Sequence, residues 1–113
     1  HDSIVEGVAD LIECHFLDPE FTTDSIARAL HTSRRHLYRQ LAAVGESPAS
    51  MIVKRRLRRA KKLVLGLEDP DLGHIARASG FSSATVLRDR FRAEFGMAPD
   101  EFRSCQLRRS TDR

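Results

Sequence analysis

The chain has 113 residues, of which 41% are hydrophobic and 6% aromatic, with no Trp; that is enough for one domain or two small lobes with a modest core. A net charge of +3 and a pI near 9.3 favour a polyanionic partner. Cys14 and Cys105 lie far apart without a CxxC spacing, and neither a membrane-spanning apolar stretch nor a signal peptide is present, so the composition speaks for reduced thiols in a cytoplasmic protein and against a membrane protein.

Charge is unevenly spread. Residues 1–27 hold seven acids (Asp2, Glu6, Asp10, Glu13, Asp18, Glu20 and Asp24) and no Lys or Arg, whereas residues 28–62 hold eleven Lys or Arg and one acid, Glu46. The first predicted element is a helix over residues 3–17, apolar at Ile4, Val5, Val8, Leu11, Ile12, His15 and Phe16, with acids on its other side. DPEF breaks the pattern. TTDSIARAL then starts a second helix, with Thr22 or Thr23 as N-cap and Asp24 in the first turn, where the helix dipole favours an anion. After HTS, the stretch SRRHLYRQLAAVG makes a third helix, capped by Ser33 and stopped by Gly45.

SPASMIVKRRLRRAKKLVLG follows as a long fourth helix, with Ser47 as cap, Pro48 at the first helical position and Gly66 at the close. LEDPD connects it to LGHIARAS, GFS, SATVLRDRFRAEFG and MAPDEFRS, which repeat the style of the first half. QLRRSTDR is expected to be a frayed polar tail. No stretch alternates with period two, so the fold class is all-α: two helix-turn-helix subdomains joined by a linker helix, about seven helices in total. The expected organisation is an N-terminal helix with the first helix-turn-helix over 1–46, the linker helix over 47–66, the second helix-turn-helix with a closing helix over 67–104, and the tail over 105–113, together one DNA-binding unit.

The two halves are copies. At an offset of 49, Ile26-Ala27-Arg28-Ala29 equals Ile75-Ala76-Arg77-Ala78, and Ser33 falls on Ser82. The offset slips to 50 at Leu37 and Leu87, and to 51 where Gly45-Glu46-Ser47-Pro48 meets Gly96-Met97-Ala98-Pro99. In each copy a small residue, Ala27 or Ala76, lets one helix cross closely over the next. A short turn follows, then a helix with an apolar inner side and a polar outer side. Leu37 and Leu41 face inward in the first copy, which leaves Arg34, Arg35, Tyr38 and Arg39 outside; Leu87 and Phe91 face inward in the second, which leaves Ser83, Ala84, Thr85, Arg88 and Asp89 outside.

GFSSATVLRDRFRAEFGMAPDEFR resembles the C-terminal signature of the AraC/XylS family of bacterial transcription regulators. The resemblance rests on Ile75-Ala76, Gly80-Phe81, Phe91-Arg92, Phe95-Gly96, Pro99 and Phe102-Arg103. SRRHLYRQL is similar to the family's first recognition helix and RRLRRAKKLV to its linker helix, so the likeness runs from about residue 18 to 103. It departs where members often carry a donor late in the second recognition helix, here Asp89, and an amide after Ser83, here Ala84. The resemblance implies sequence-specific binding of double-stranded promoter DNA by a cytoplasmic, nucleoid-associated regulator, an activator or a repressor, with two recognition helices in adjacent major grooves. It also implies an N-terminal effector or dimerisation domain in a longer protein, consistent with a chain that begins at His1 and not Met, and RNA polymerase as a further candidate contact.

On that reading, base readout falls to Arg35, Tyr38, Arg39, Ala84, Thr85, Arg88 and Asp89, and phosphate contact to Thr32, Ser33, Arg34, Ser82 and Ser83. Arg35 and Arg39 can each make a bidentate contact to guanine. Ala84 and the Thr85 methyl can meet thymine methyl groups, and Asp89 either accepts from a cytosine amino group or pairs with Arg92. The competing reading is a helical adaptor whose basic face meets an acidic protein. An enzyme is not expected: His15, His31, His36 and His74 are scattered, and no nucleophile–base set stands at motif spacing. Nor is a cofactor or metal expected, since Cys14 and His15 point about 100° apart on a helix.

Seven of the nine residues from Lys54 to Lys62 are Lys or Arg, yet Ile52, Val53, Leu57, Ala60, Leu63, Val64 and Leu67 form one apolar arc on the same helix. Lys54, Arg58, Lys61 and Lys62 lie opposite, and Arg56 falls inside the arc, where it must snorkel or pair with an acid. The run is therefore expected to frame the two readers. At 1.5 Å per residue it spans about 28 Å, against roughly 34 Å between successive major grooves.

Overall fold

The structure is a computed structural model and describes residues 3–111 of the chain; residues 1–2, and residues 112–113 of the expected tail, lie outside them. Seven helices and no strand occur among the described residues: α1 (Ser3–His15), α2 (Thr23–Ala29), α3 (Arg34–Ala42), α4 (Pro48–Gly66), α5 (Leu72–Ser79), α6 (Ala84–Phe95) and α7 (Pro99–Thr111). None is long and apolar enough to cross a membrane. The chain divides into two compact units, the first ending at Arg56 and the second beginning at Leu57, so the division falls inside α4.

In the first unit the apolar stripes of four helices meet. Val8, Ile12, Phe16, Phe21, Ile26, Ala27, Leu37, Leu41 and Ile52 form a buried cluster, with Leu30 and Met51 packed against it. His15, placed on the apolar stripe by its spacing, is exposed instead and stacks its ring on Phe21 at 5.3 Å. The start of α4 is fixed by a reciprocal cap. Ser50 N–H donates to Ser47 Oγ at 3.1 Å, and Ser47 N–H to Ser50 Oγ at 3.0 Å. Glu46 extends the cap, accepting from Ser50 Oγ at 2.9 Å and Lys54 Nζ at 3.2 Å. The Ser50 hydroxyl, and then the Lys54 ammonium, hold the Glu46 carboxyl below its usual range.

Arg56, expected to snorkel or to pair with an acid, instead finds backbone carbonyls: Nε donates to Phe16 O at 2.8 Å, and Nη2 to Asp18 O at 2.8 Å and Phe21 O at 3.2 Å. It ties α4 to the end of α1 and to the α1–α2 loop. Burial lowers its pKa, with Asp18 opposing that shift.

In the second unit Leu57, Ala60, Val64, Ile75, Ala76, Phe81, Leu87, Phe91 and Phe102 are buried. Phe91, Phe95 and Phe102 form an aromatic trio with centroids 4.5–5.6 Å apart. Lys61 lies 5.5 Å from the Phe95 ring centroid and 5.8 Å from that of Phe102, on the outer side of the trio. Arg103 repeats the device of Arg56, donating from Nη1 to Val64 O and from Nη2 to Glu68 O, and so closes the end of α4. The expected tail differs from the observed one. Helix α7 continues through Thr111 because no Gly or Pro follows Pro99, and Arg108 and Arg109 in its last turn suit the negative helix end.

Candidate nucleic-acid interface

The α2–α3 and α5–α6 pairs are built alike, nearly bond for bond. Thr32 N–H donates to Ala27 O at 3.0 Å, and Phe81 N–H to Ala76 O at 2.9 Å. Ala27 and Ala76 are buried, as close helix crossing requires. The Ser33 hydroxyl then accepts from His36 N–H at 3.0 Å, and the Ser83 hydroxyl from Val86 N–H at 3.2 Å. These caps correct the register: Ser33 corresponds to Ser83, not to Ser82. The extra residue of the second copy therefore sits in the turn, where Phe81 is buried and Ser82 exposed. The left-handed turn position is taken by His31 (φ 54°) in the first copy and by Gly80 (φ 93°) in the second.

On α3, Leu37 and Leu41 are fully buried. Arg34, Arg35, Tyr38 and Arg39 are exposed, as is Ser33, while Thr32 is half-buried. Arg35 and Arg39 make no ion pair among the described residues, and Arg34 sits 3.5 Å from Asp24, with both side chains more than half exposed. Such a pair is worth at most about 1 kcal/mol and leaves the guanidinium available to a stronger anion. Asp24, Arg28, His31, Thr32, Ser33 and Arg34 line an open groove over the turn. Arg28 was not singled out in the sequence; its place directly after Ala27, in the duplicated Ile-Ala-Arg-Ala, was the available signal.

On α6, Leu87 and Phe91 are fully buried. Ser82, Ser83, Thr85, Arg88 and Asp89 are exposed and Ala84 is half-buried. Arg88 stands on the flank of the helix and lines a groove of ≈ 330 Å³ with Leu72, Ile75, Pro99, Asp100 and Arg103. Val86, which the sequence did not single out, keeps 37% of its surface exposed in the first turn. The seven cations of the α4 run have divided duties. Lys54, Arg56 and Lys61 are engaged as described, and Arg55 pairs with Glu13 at 2.6 Å and covers the Phe16 ring at 3.9 Å. Arg58, Arg59 and Lys62 are exposed, with no ion pair among the described residues.

Comparison with known proteins agrees with this geometry. The sequence profile of a helix-turn-helix domain family matches residues 26–104. No curated protein matches the chain. Among solved structures, the chain is similar to the C-terminal domain of AraT, a response regulator from Geobacillus stearothermophilus, at 27% identity over 90% of this chain and 84% of that one, with a TM-score of 0.83. The DNA-binding domain of AdpA, a global transcriptional factor solved in complex with a target DNA, is 27% identical over 96% of both chains, with a TM-score of 0.81. A transcriptional regulator with an AraC-type DNA-binding domain from Chromobacterium violaceum is 28% identical over 91% of both chains, with a TM-score of 0.77.

Proposed function

This chain belongs to the AraC family of helix-turn-helix DNA-binding domains, and from that premise we propose that it recognises specific double-stranded DNA by setting α3 and α6 into adjacent major grooves. One observation carries the reading. Two capped helix-turn-helix units repeat the same turn bond and the same cap bond, and each leaves a polar helix face uncovered. The AdpA domain, bound to its target DNA, has the same fold.

Affinity comes first from phosphate. Thr32, Ser33 and Arg34 at the start of α3, and Ser82 and Ser83 at the start of α6, present hydroxyls, amides and a guanidinium where the positive end of a helix favours an anion. Discrimination falls to Arg35 and Arg39, each worth roughly 1–3 kcal/mol when bidentate on guanine, and to Tyr38 against a sugar or a thymine methyl. Thr85 and Asp89 read from the outward face of α6, Arg88 from its flank and Ala84 from its half-buried place at the helix start. Helix α4, 19 residues long, serves as the spacer, and Arg58, Arg59 and Lys62 add phosphate contacts.

Binding to a random duplex, measured across a salt series, tests this. The account expects affinity to fall log-linearly with salt, with a slope of roughly −0.9 for each phosphate neutralised. No binding even at low salt would contradict it and favour a helical adaptor for an acidic protein.

A further inference from the structure

We infer that the two units read chemically different half-sites: α3 reads guanine through guanidinium groups, whereas α6 reads thymine methyl groups and a cytosine amino group, with Val86 as one of the reading side chains. The inference rests on the DNA-binding function proposed above and names its target.

The cap register carries it. With Ser33 on Ser83, Arg35 corresponds to Thr85, His36 to Val86, Tyr38 to Arg88 and Arg39 to Asp89. All of these are exposed except His36, which is half-buried. At 100° per residue, the positions of Arg35 and Arg39, and of Thr85 and Asp89, point away from the buried pairs Leu37–Leu41 and Leu87–Phe91. The outermost residues are therefore two cations in one copy, but a hydroxyl and an anion in the other. A guanidinium fork matches the O6 and N7 acceptors of guanine.

Neither Thr85 nor Asp89 can supply that fork. The first turn of α6 instead carries three methyl-bearing side chains in succession, Ala84, Thr85 and Val86, and Val86 is 37% exposed. The apolar group that a major groove offers such an edge is the thymine C5-methyl. Asp89 only accepts hydrogen bonds. The groove's donors are cytosine N4 and adenine N6, and adenine sets its N7 acceptor beside N6, which repels a carboxylate; cytosine fits better. A chain with two unlike readers binds an asymmetric site in one orientation.

Selecting bound duplexes from a random pool with the full chain tests the inference. The expected consensus is non-palindromic, with guanines in one half and thymine and cytosine in the other. Arg39→Ala should relax the guanine half alone, and Asp89→Asn should shift one position from cytosine to adenine. Replacing the thymine that Val86 covers with deoxyuridine, which lacks only the methyl group, should weaken wild-type binding about fourfold and leave Val86→Ala unaffected. A palindromic consensus, guanines in both halves, or indifference to deoxyuridine at every thymine would overturn the inference while leaving DNA reading intact. Failure to enrich any sequence would overturn both.

Discussion

His31 and Gly80 show how far a single residue can depart from its repeat. Both hold the left-handed turn that aims a recognition helix, at φ 54° and 93°, and the side chain makes that conformation costly at His31. His is tolerated there better than a β-branched residue, and its ring is exposed beside Arg28 and Asp24, so nothing in the fold demands it. His31→Gly should raise stability by about 0.5–1 kcal/mol, read as a higher urea midpoint at unchanged m-value. A loss of stability would mean that the imidazole contributes more than the turn costs. The residue scale is also where sequence reading was least complete. The left-handed turn at His31 is invisible without the aligned Gly80, and just beyond it the pairing of Ser33 with Ser82 was off by one until the Ser83 cap bond placed the extra residue in the turn.

Helices were the most legible level. Apolar spacing, Ser caps, Pro48 and the duplicated Ile-Ala-Arg-Ala located all seven, because a helix start and an amphipathic stripe are written in side chains close together in sequence. The fastenings between elements were not. Arg56 and Arg103 both donate to carbonyls 35–40 residues away, and a carbonyl has no side-chain signature. Composition alone would have assigned both arginines to DNA. The end of α7 was missed for the opposite reason, since polarity was taken for fraying although Arg-rich, Gly-free sequence continues a helix well. If Arg56 is the fastening of α1 to α4, Arg56→Met should destabilise the chain by about 2–3 kcal/mol, because it orphans partly buried carbonyls. Arg56→Lys, which keeps the charge but not the fork, should recover only part of that loss. Thermal unfolding of both variants checks this; a loss below about 0.5 kcal/mol for the Met variant would show that water replaces the guanidinium at little cost.

For the whole molecule, the charge count misdirects and the repeat informs. The densest basic run, Lys54 to Lys62, spends four of its seven cations on internal partners. The guanidiniums proposed as readers, Arg35 and Arg39, are exposed and in no ion pair among the described residues, and they sit in a far less conspicuous stretch. Under the proposed function, that division would separate affinity from specificity: phosphate contacts spread over both helix starts and α4 would set how tightly any DNA is held, and a few outward side chains which DNA is chosen. The most direct test is the affinity of Arg39→Ala for its selected duplex and for a random duplex at the same salt concentration. The account predicts a loss of tenfold or more on the selected duplex and little change on the random one. Equal losses on both would contradict it, because Arg39 would then be one more phosphate contact and not a reader of sequence.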